Sequence, residues 1–205
     1  MDLRNSSAGK LYYLVLERFI LGHLERSGLG PNQLTLAGPL LAALAPLGFR
    51  LHPLAGGGVI LLSALADSLD GLAARRWQQS TARGAFLDSC MDRLADTFYL
   101  MGFWVLFWPG RYALAAGLLI MASMASTFLI SYAKARAESL GMKTGSGIMP
   151  RAPRVIFLLA WTILLAALPR HRQELLWGGL LLYLFLTSFT AACRMVNCHS
   201  EKKEG

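Results

Sequence analysis

Asp67, Asp70, Asp88 and Asp92 are set among Leu, Ala, Phe and Met on either side of a short basic, glycine-containing turn. The flanking stretches are apolar enough to lie in a membrane, where an ionised acid is costly and marks a functional site. Four carboxylates converging on one place would repel each other unless cations sat between them. That points to bound divalent metal, and metal beside a basic loop points to phosphate chemistry.

Asp67 and Asp70 are three residues apart and Asp88 and Asp92 four apart, so on helices each pair shares a face. The stretch from Gly71 to Gly84 lets the chain reverse, and a helical hairpin would bring the pairs face to face. Gly71 lies four residues after Asp67 and Gly84 four before Asp88, so both fall on the acid-bearing faces. The missing side chains leave room for a ligand, and Ala74 extends the small strip. Mg²⁺ prefers carboxylates, phosphate oxygens and water, and Mn²⁺ is accepted by similar sites. Two such ions on Asp67, Asp70, Asp88 and Asp92 could grip a diphosphate and polarise phosphorus. One acid must also take a proton from an incoming hydroxyl, and Asp92, deepest along its helix, is the candidate base. Pairing with Arg75, Arg83 or Arg93 explains any single acid but not all four together with the glycines. Asp96 continues the series, yet it suits salt-bridging to Arg93 or Lys134 as well as catalysis.

The elements that must position these acids are membrane helices. The 205 residues are 55% hydrophobic, with mean hydropathy +0.45, as expected for one polytopic membrane domain. Tyr112 to Ala133 and Leu175 to Cys193 carry no charge. The pattern predicts an all-α bundle over 32–196 with six spans, near 32–50, 56–75, 84–107, 112–136, 153–168 and 174–195, the fifth being short. Residues 8–27 predict an amphipathic helix, lying in the interface or packed on the protein's own cytoplasmic side. Asn32 or Thr35 can cap the first span, Pro39 and Pro46 predict kinks, and 200–205 reads as a disordered tail, leaving a single domain over 1–199. The opening Met1-Asp2-Leu3-Arg4-Asn5 does not resemble a cleaved signal.

The net charge of +8 does not imply nucleic acid. Fifteen of the twenty Lys and Arg fall in the N-terminal segment, the 75–83 turn, the 134–154 loop and the C-terminus. This bias places both termini and the acid-bearing turn in the cytoplasm, facing anionic lipid. Cys90, Cys193 and Cys198 fit no metal spacing and read as reduced packing residues.

Asp67-Ser-Leu-Asp70-Gly71-Leu-Ala-Ala74-Arg75, eight residues, then Gly84-Ala-Phe-Leu-Asp88-Ser-Cys-Met-Asp92 resembles the CDP-alcohol phosphotransferase signature without a gap or substitution. Pro31-Asn32-Gln-Leu-Thr35 and the segment Ser131 to Glu138 extend the likeness over essentially the whole chain. The resemblance implies transfer of a phosphatidyl group from a CDP-linked lipid such as CDP-diacylglycerol to an alcohol, releasing CMP. It implies Asp67, Asp70 and Asp88 as ligands of a two-metal site and Asp92 as the base. Gly71, Ala74, Arg75 and Gly84 would border the nucleotide, with Asn32 and Thr35 nearby. It also implies a homodimer in a bacterial or archaeal cell membrane.

Lys134, Arg136, Lys143, Arg151, Arg154 and Arg194 either anchor to lipid phosphates or recognise a phosphomonoester, which Arg grips bidentately. By the same resemblance, to the branch using inositol phosphate or glycerol phosphate, Lys134, Arg151 and Arg194 would hold the acceptor's phosphate, with Arg154 in reserve. The chain lacks the acids usual around these arginines in the inositol-phosphate branch, which leaves the acceptor's identity open; a phosphorylated polyol is preferred to a neutral amino alcohol. The reading from another class is a divalent-cation transporter or channel, whose acids would spread through the bilayer depth.

Overall fold

The computed structural model describes residues 11, 12, 14, 16–22, 30–145 and 147–200. Helix α1 (Pro31–Ala42) begins where a capping box forms: Gly30 N–H donates to Gln33 Oε1 at 3.0 Å, and Gln33 N–H donates to Gly30 O at 3.1 Å. Gly30, rather than Asn32 or Thr35, is therefore the cap, and Pro31 takes the first helical position, where its missing N–H is not needed. The chain breaks at Ala43-Leu44 before α2 (Ala45–Leu51). Pro46 causes this, since its nitrogen cannot donate to Ala42 O. Pro39 is absorbed inside α1.

Helix α3 (Pro53–Arg76) carries Asp67 and Asp70 near its end, and α4 (Ala82–Val105) carries Asp88 and Asp92 near its start. There follow α5 (Ala113–Ser139), strand β1 (Met142–Thr144), α6 (Arg151–Ala167), a 3-10 turn at Pro169–His171, α7 (Arg172–Val196) and strand β2 (Cys198–Ser200). The two strands pair antiparallel, Met142 opposite Ser200, a single three-residue ribbon beside a chain that is otherwise helical, as expected. Ser200 accordingly belongs to a strand, while the rest of the expected tail lies outside the described residues. The interfacial helix expected over 8–27 also lies largely outside them; its described part is helical, with a π-turn at Glu17–Leu21.

Among the described residues, four runs are long and apolar enough to cross a membrane: Gln33–Leu51, Pro53–Arg76, Ala113–Ser139 and Pro169–Val196. Helix α4 falls outside that set because Arg83, Asp88, Asp92, Arg93 and Asp96 interrupt it. Helix α6 is only 17 residues long.

The described residues fall into two units, one drawn from Met1–Ala45 and Gly58–Tyr99, the other from Pro46–Gly57 and Leu100–Gly205. In the first, Ser63 Oγ donates to Gly38 O at 2.6 Å and receives the Tyr99 hydroxyl at 2.7 Å, tying α1, α3 and α4 together. A patch of Leu16, Leu34, Leu69 and Ala73 closes its other end. In the second, α5 packs along α7, and α6 rests on α7. Its centre is aromatic: Phe103 stacks on Trp161 at 4.1 Å and meets Phe49 at 4.6 Å. Pro150 precedes α6 and Pro153 sits in its first turn, where a helix tolerates proline.

Candidate functional site

The hinge between α3 and α4 builds the site. Gln78 adopts φ +55, Gln79 N–H reaches back to Ala74 O at 2.9 Å, and Gln78 N–H reaches Arg75 O at 3.3 Å. This is a Schellman ending, with glutamine at the left-handed position that glycine normally takes. Three residues on, Thr81 Oγ1 accepts the Gly84 N–H at 3.0 Å and caps α4. The two caps lie so close together that α4 starts six residues after α3 ends.

The reversal brings Asp67, Asp70 and Asp88 together, with one carboxylate oxygen from each lying within 4.8 Å of the others. Asp70 is only 4% exposed, and its Oδ2 is buried without a hydrogen-bond donor. Oxygens that stand 2.0–2.6 Å from one hard cation are at most about 5 Å apart, so this triad fits a divalent ion. A buried carboxylate oxygen without a donor, on one of the three clustered acids, is what such an ion would satisfy. Asp92 lies one turn below Asp88 on α4 and is half-buried; the three-acid cluster does not include it.

Beside the acids opens a pocket lined by Pro31, Thr35, Asp70, Gly71, Ala74, Arg75, Gln79, Ser80, Thr81, Gly84, Ala85 and Asp88. Thr35, Gly71, Ala74, Arg75 and Gly84 from the sequence reading all line it, on three helices. The Asn32 side chain lies outside what is described. The Thr35 hydroxyl stands beside Asp70 and donates to Pro31 O at 3.1 Å. Gln79, Ser80, Thr81 and Ala85 were not among the expected site residues. Thr81 was findable, because a threonine just before a helical run is a start signal; the role of Gln79 and Ser80 depends on the Schellman geometry, which the absence of glycine conceals.

The basic residues are distributed differently from the expectation. Lys134 is exposed and pairs with Glu138 one turn on, at 3.7 Å. Arg151 is half-buried. Arg154 and Arg194 are the buried ones, 2% and 7% exposed, and lie near enough to repel one another. Arg194 Nη1 donates to Ile130 O at 2.7 Å, and Arg154 Nη1 donates to Met149 O at 3.2 Å. Two guanidiniums held this close inside the protein repel one another unless an anion lies between them. Asp96 is buried at 5% exposure, Arg93 donates to Ser89 O, and Cys90 and Cys193 are free thiols.

Comparison with known proteins places this arrangement. The sequence model for CDP-alcohol phosphatidyltransferase matches residues 29–187. An archaetidylinositol phosphate synthase of Methanothermobacter thermautotrophicus is 38% identical over 160 residues, covering 78% of this chain and 79% of that protein. A phosphatidylinositol phosphate synthase of Mycolicibacterium smegmatis is 35% identical, covering 72% and 67%. Among solved structures, the Mycobacterium tuberculosis phosphatidylinositol phosphate synthase with CDP-DAG bound superposes with a TM-score of 0.72 at 28% identity, covering 87% of this chain and 90% of that one. The same enzyme in complex with manganese and citrate gives 0.75 at 28% identity, covering 87% and 86%. With its signature acids, small residues and arginine assembled around one pocket, this chain belongs to the CDP-alcohol phosphatidyltransferase family.

Proposed function

We propose that the protein transfers a phosphatidyl-type group from a CDP-linked lipid, such as CDP-diacylglycerol, to a hydroxyl of a phosphorylated polyol, with an inositol phosphate the leading acceptor. The observation that carries this reading is the convergence of Asp67, Asp70 and Asp88 beside a pocket floored by Gly71, Ala74 and Gly84. The names of the relatives support inositol phosphate over other acceptors.

The chemistry is a displacement at phosphorus. An acceptor oxygen forms a bond to the lipid-side phosphorus, the bridging P–O bond breaks, and CMP leaves with the electron pair. Asp67, Asp70, Asp88 and Asp92 would hold two divalent ions, Mg²⁺ in the cell, which would neutralise the diphosphate and polarise the phosphorus. Asp92 takes the proton from the attacking hydroxyl. Gly71, Ala74 and Gly84 give the nucleotide room, while Arg75, Thr35 and Asn32 orient it. Arg154 and Arg194, with Lys134 and Arg151 in support, hold the acceptor's phosphate.

Six membrane crossings within one domain, both termini and the acid hinge in the cytoplasm, and a homodimeric state complete the reading. It is supported by the charge bias along the chain and by the acids of α4, which lower that helix's hydropathy for a functional reason. The deciding experiment incubates purified protein with CDP-diacylglycerol, Mg²⁺ and a panel of inositol phosphate, glycerol phosphate, free inositol and serine. The expected product is the phosphorylated inositol lipid plus CMP; product with serine or free inositol alone would overturn the acceptor assignment.

A further inference from the structure

The described part of the N-terminal segment touches α3 at three places, Ser68 on the flank of that helix and Leu69, Ala73 and Arg76 on the side away from the acids. The Tyr12 hydroxyl donates to Ser68 Oγ at 3.1 Å. Leu16, 3% exposed, packs with Leu69 and Ala73. Glu17 pairs with Arg76. Ser68 and Leu69 are the two residues between Asp67 and Asp70, so two of these contacts bear on the backbone that carries the acids. At 100° per residue, Asp67, Asp70, Gly71 and Ala74 share one face of α3, while Leu69, Ala73 and Arg76 share the opposite one. Leu11, Leu14 and Phe19 of the segment are exposed at 64%, 57% and 63%. In a membrane protein such a face is offered to lipid.

We propose that Tyr12, Leu16 and Glu17 are positioning residues: the N-terminal segment braces the back of α3 and so sets where Asp67 and Asp70 stand at the metal site. The inference rests on the metal reading above. The last turns of α3 rest on the Leu16 patch, which also holds Leu34 of α1. A metal constellation must be held to within about 0.5 Å, and supporting contacts commonly govern affinity tenfold or more. The three contacts are unequal. Glu17 and Arg76 are exposed, and such pairs contribute little. Leu16 and the Tyr12 hydroxyl are the main members.

The test measures Mn²⁺ binding by purified protein in detergent without substrate, from the electron paramagnetic resonance signal of free Mn²⁺, with thermal melting alongside. Leu16→Ala should weaken Mn²⁺ binding about tenfold and Tyr12→Phe about threefold, in protein still fully folded at the assay temperature. Glu17→Arg, which sets like charges together at an exposed pair, should weaken it less than Tyr12→Phe does, and adding Arg76→Glu should restore it. Wild-type affinity in Tyr12→Phe and Leu16→Ala, with or without a lower melting temperature, would overturn the brace while leaving the metal site intact. Absence of Mn²⁺ binding in the wild type would overturn both readings.

Discussion

Tyr99 donates its phenolic hydrogen to Ser63 Oγ, and neither side chain is more than 1% exposed. Ser63 passes its own hydrogen to Gly38 O, so a single chain of donors runs from α4 through α3 to α1. In the apolar interior of a membrane helix pair, each such group must find its partner within the protein. The chain fixes α3 against α4 on the side of the first unit away from the hinge.

Replacing Tyr99 by Phe keeps the ring and removes the donor. Ser63 Oγ then loses its incoming hydrogen bond while its own donation to Gly38 O survives. The expected cost is about 1–2 kcal/mol, seen as a melting temperature lower by a few degrees. Adding Ser63→Ala should cost less than the sum of the two single changes, because each single change already removes the Tyr99–Ser63 bond.

The three-acid cluster should be destabilised by its own charge until metal binds. Two carboxylates 4.8 Å apart repel by about 3 kcal/mol at an effective dielectric of 20, and solvent reaching the half-buried Asp67 and Asp88 lowers this. Asp70→Asn should therefore raise the melting temperature of metal-free protein while abolishing the rise that Mn²⁺ produces in the wild type. Asp92→Asn should behave differently: Asp67, Asp70 and Asp88 remain and asparagine keeps one ligand oxygen, so Mn²⁺-dependent CDP-lipid binding persists while turnover falls by at least a hundredfold. Differential scanning fluorimetry with and without Mn²⁺, and CMP release, read the two arms.

Much of this site was legible because helical periodicity converts spacing into placement. Separations of three and four residues put Asp67 with Asp70 and Asp88 with Asp92, and the glycines mark where bulk is excluded. What was not legible depends on three-dimensional detail. Gly30 caps α1 through Gln33 because Pro31 occupies the first helical position, a choice that Asn32 and Thr35 obscure. The ribbon between Met142–Thr144 and Cys198–Ser200 joins segments more than fifty residues apart with no alternating pattern. Arg154 and Arg151 lie three apart and look equivalent in sequence; only burial distinguishes them.

Gln78 holds φ +55 with a side chain attached, a conformation that costs an ordinary residue about 1 kcal/mol or more. Gln78→Gly relieves that cost, though it also loosens the unfolded chain by about 0.5 kcal/mol. The net gain should be about 0.5 kcal/mol, a rise of 1–2 °C for a chain of this size. Gln78→Val should lose at least as much, since a β-branched residue tolerates positive φ worst. Calorimetric melting of the two variants checks the sign of each.

Arg154 and Arg194 repel one another inside the second unit, and each gives one Nη to a backbone carbonyl, Met149 O and Ile130 O. Those carbonyls fix the two guanidinium planes, which an ammonium on a flexible stem cannot reproduce. Arg194→Lys or Arg154→Lys should raise the acceptor KM at least tenfold, about 1.4 kcal/mol, with Mn²⁺-dependent CDP-lipid binding unchanged. Lys134→Gln should matter far less, because Lys134 is exposed and paired with Glu138 on its own helix. Initial rates across acceptor concentration give the ordering. An effect of Lys134→Gln equal to that of Arg154→Lys would mean that burial is the wrong guide to which cation grips the acceptor.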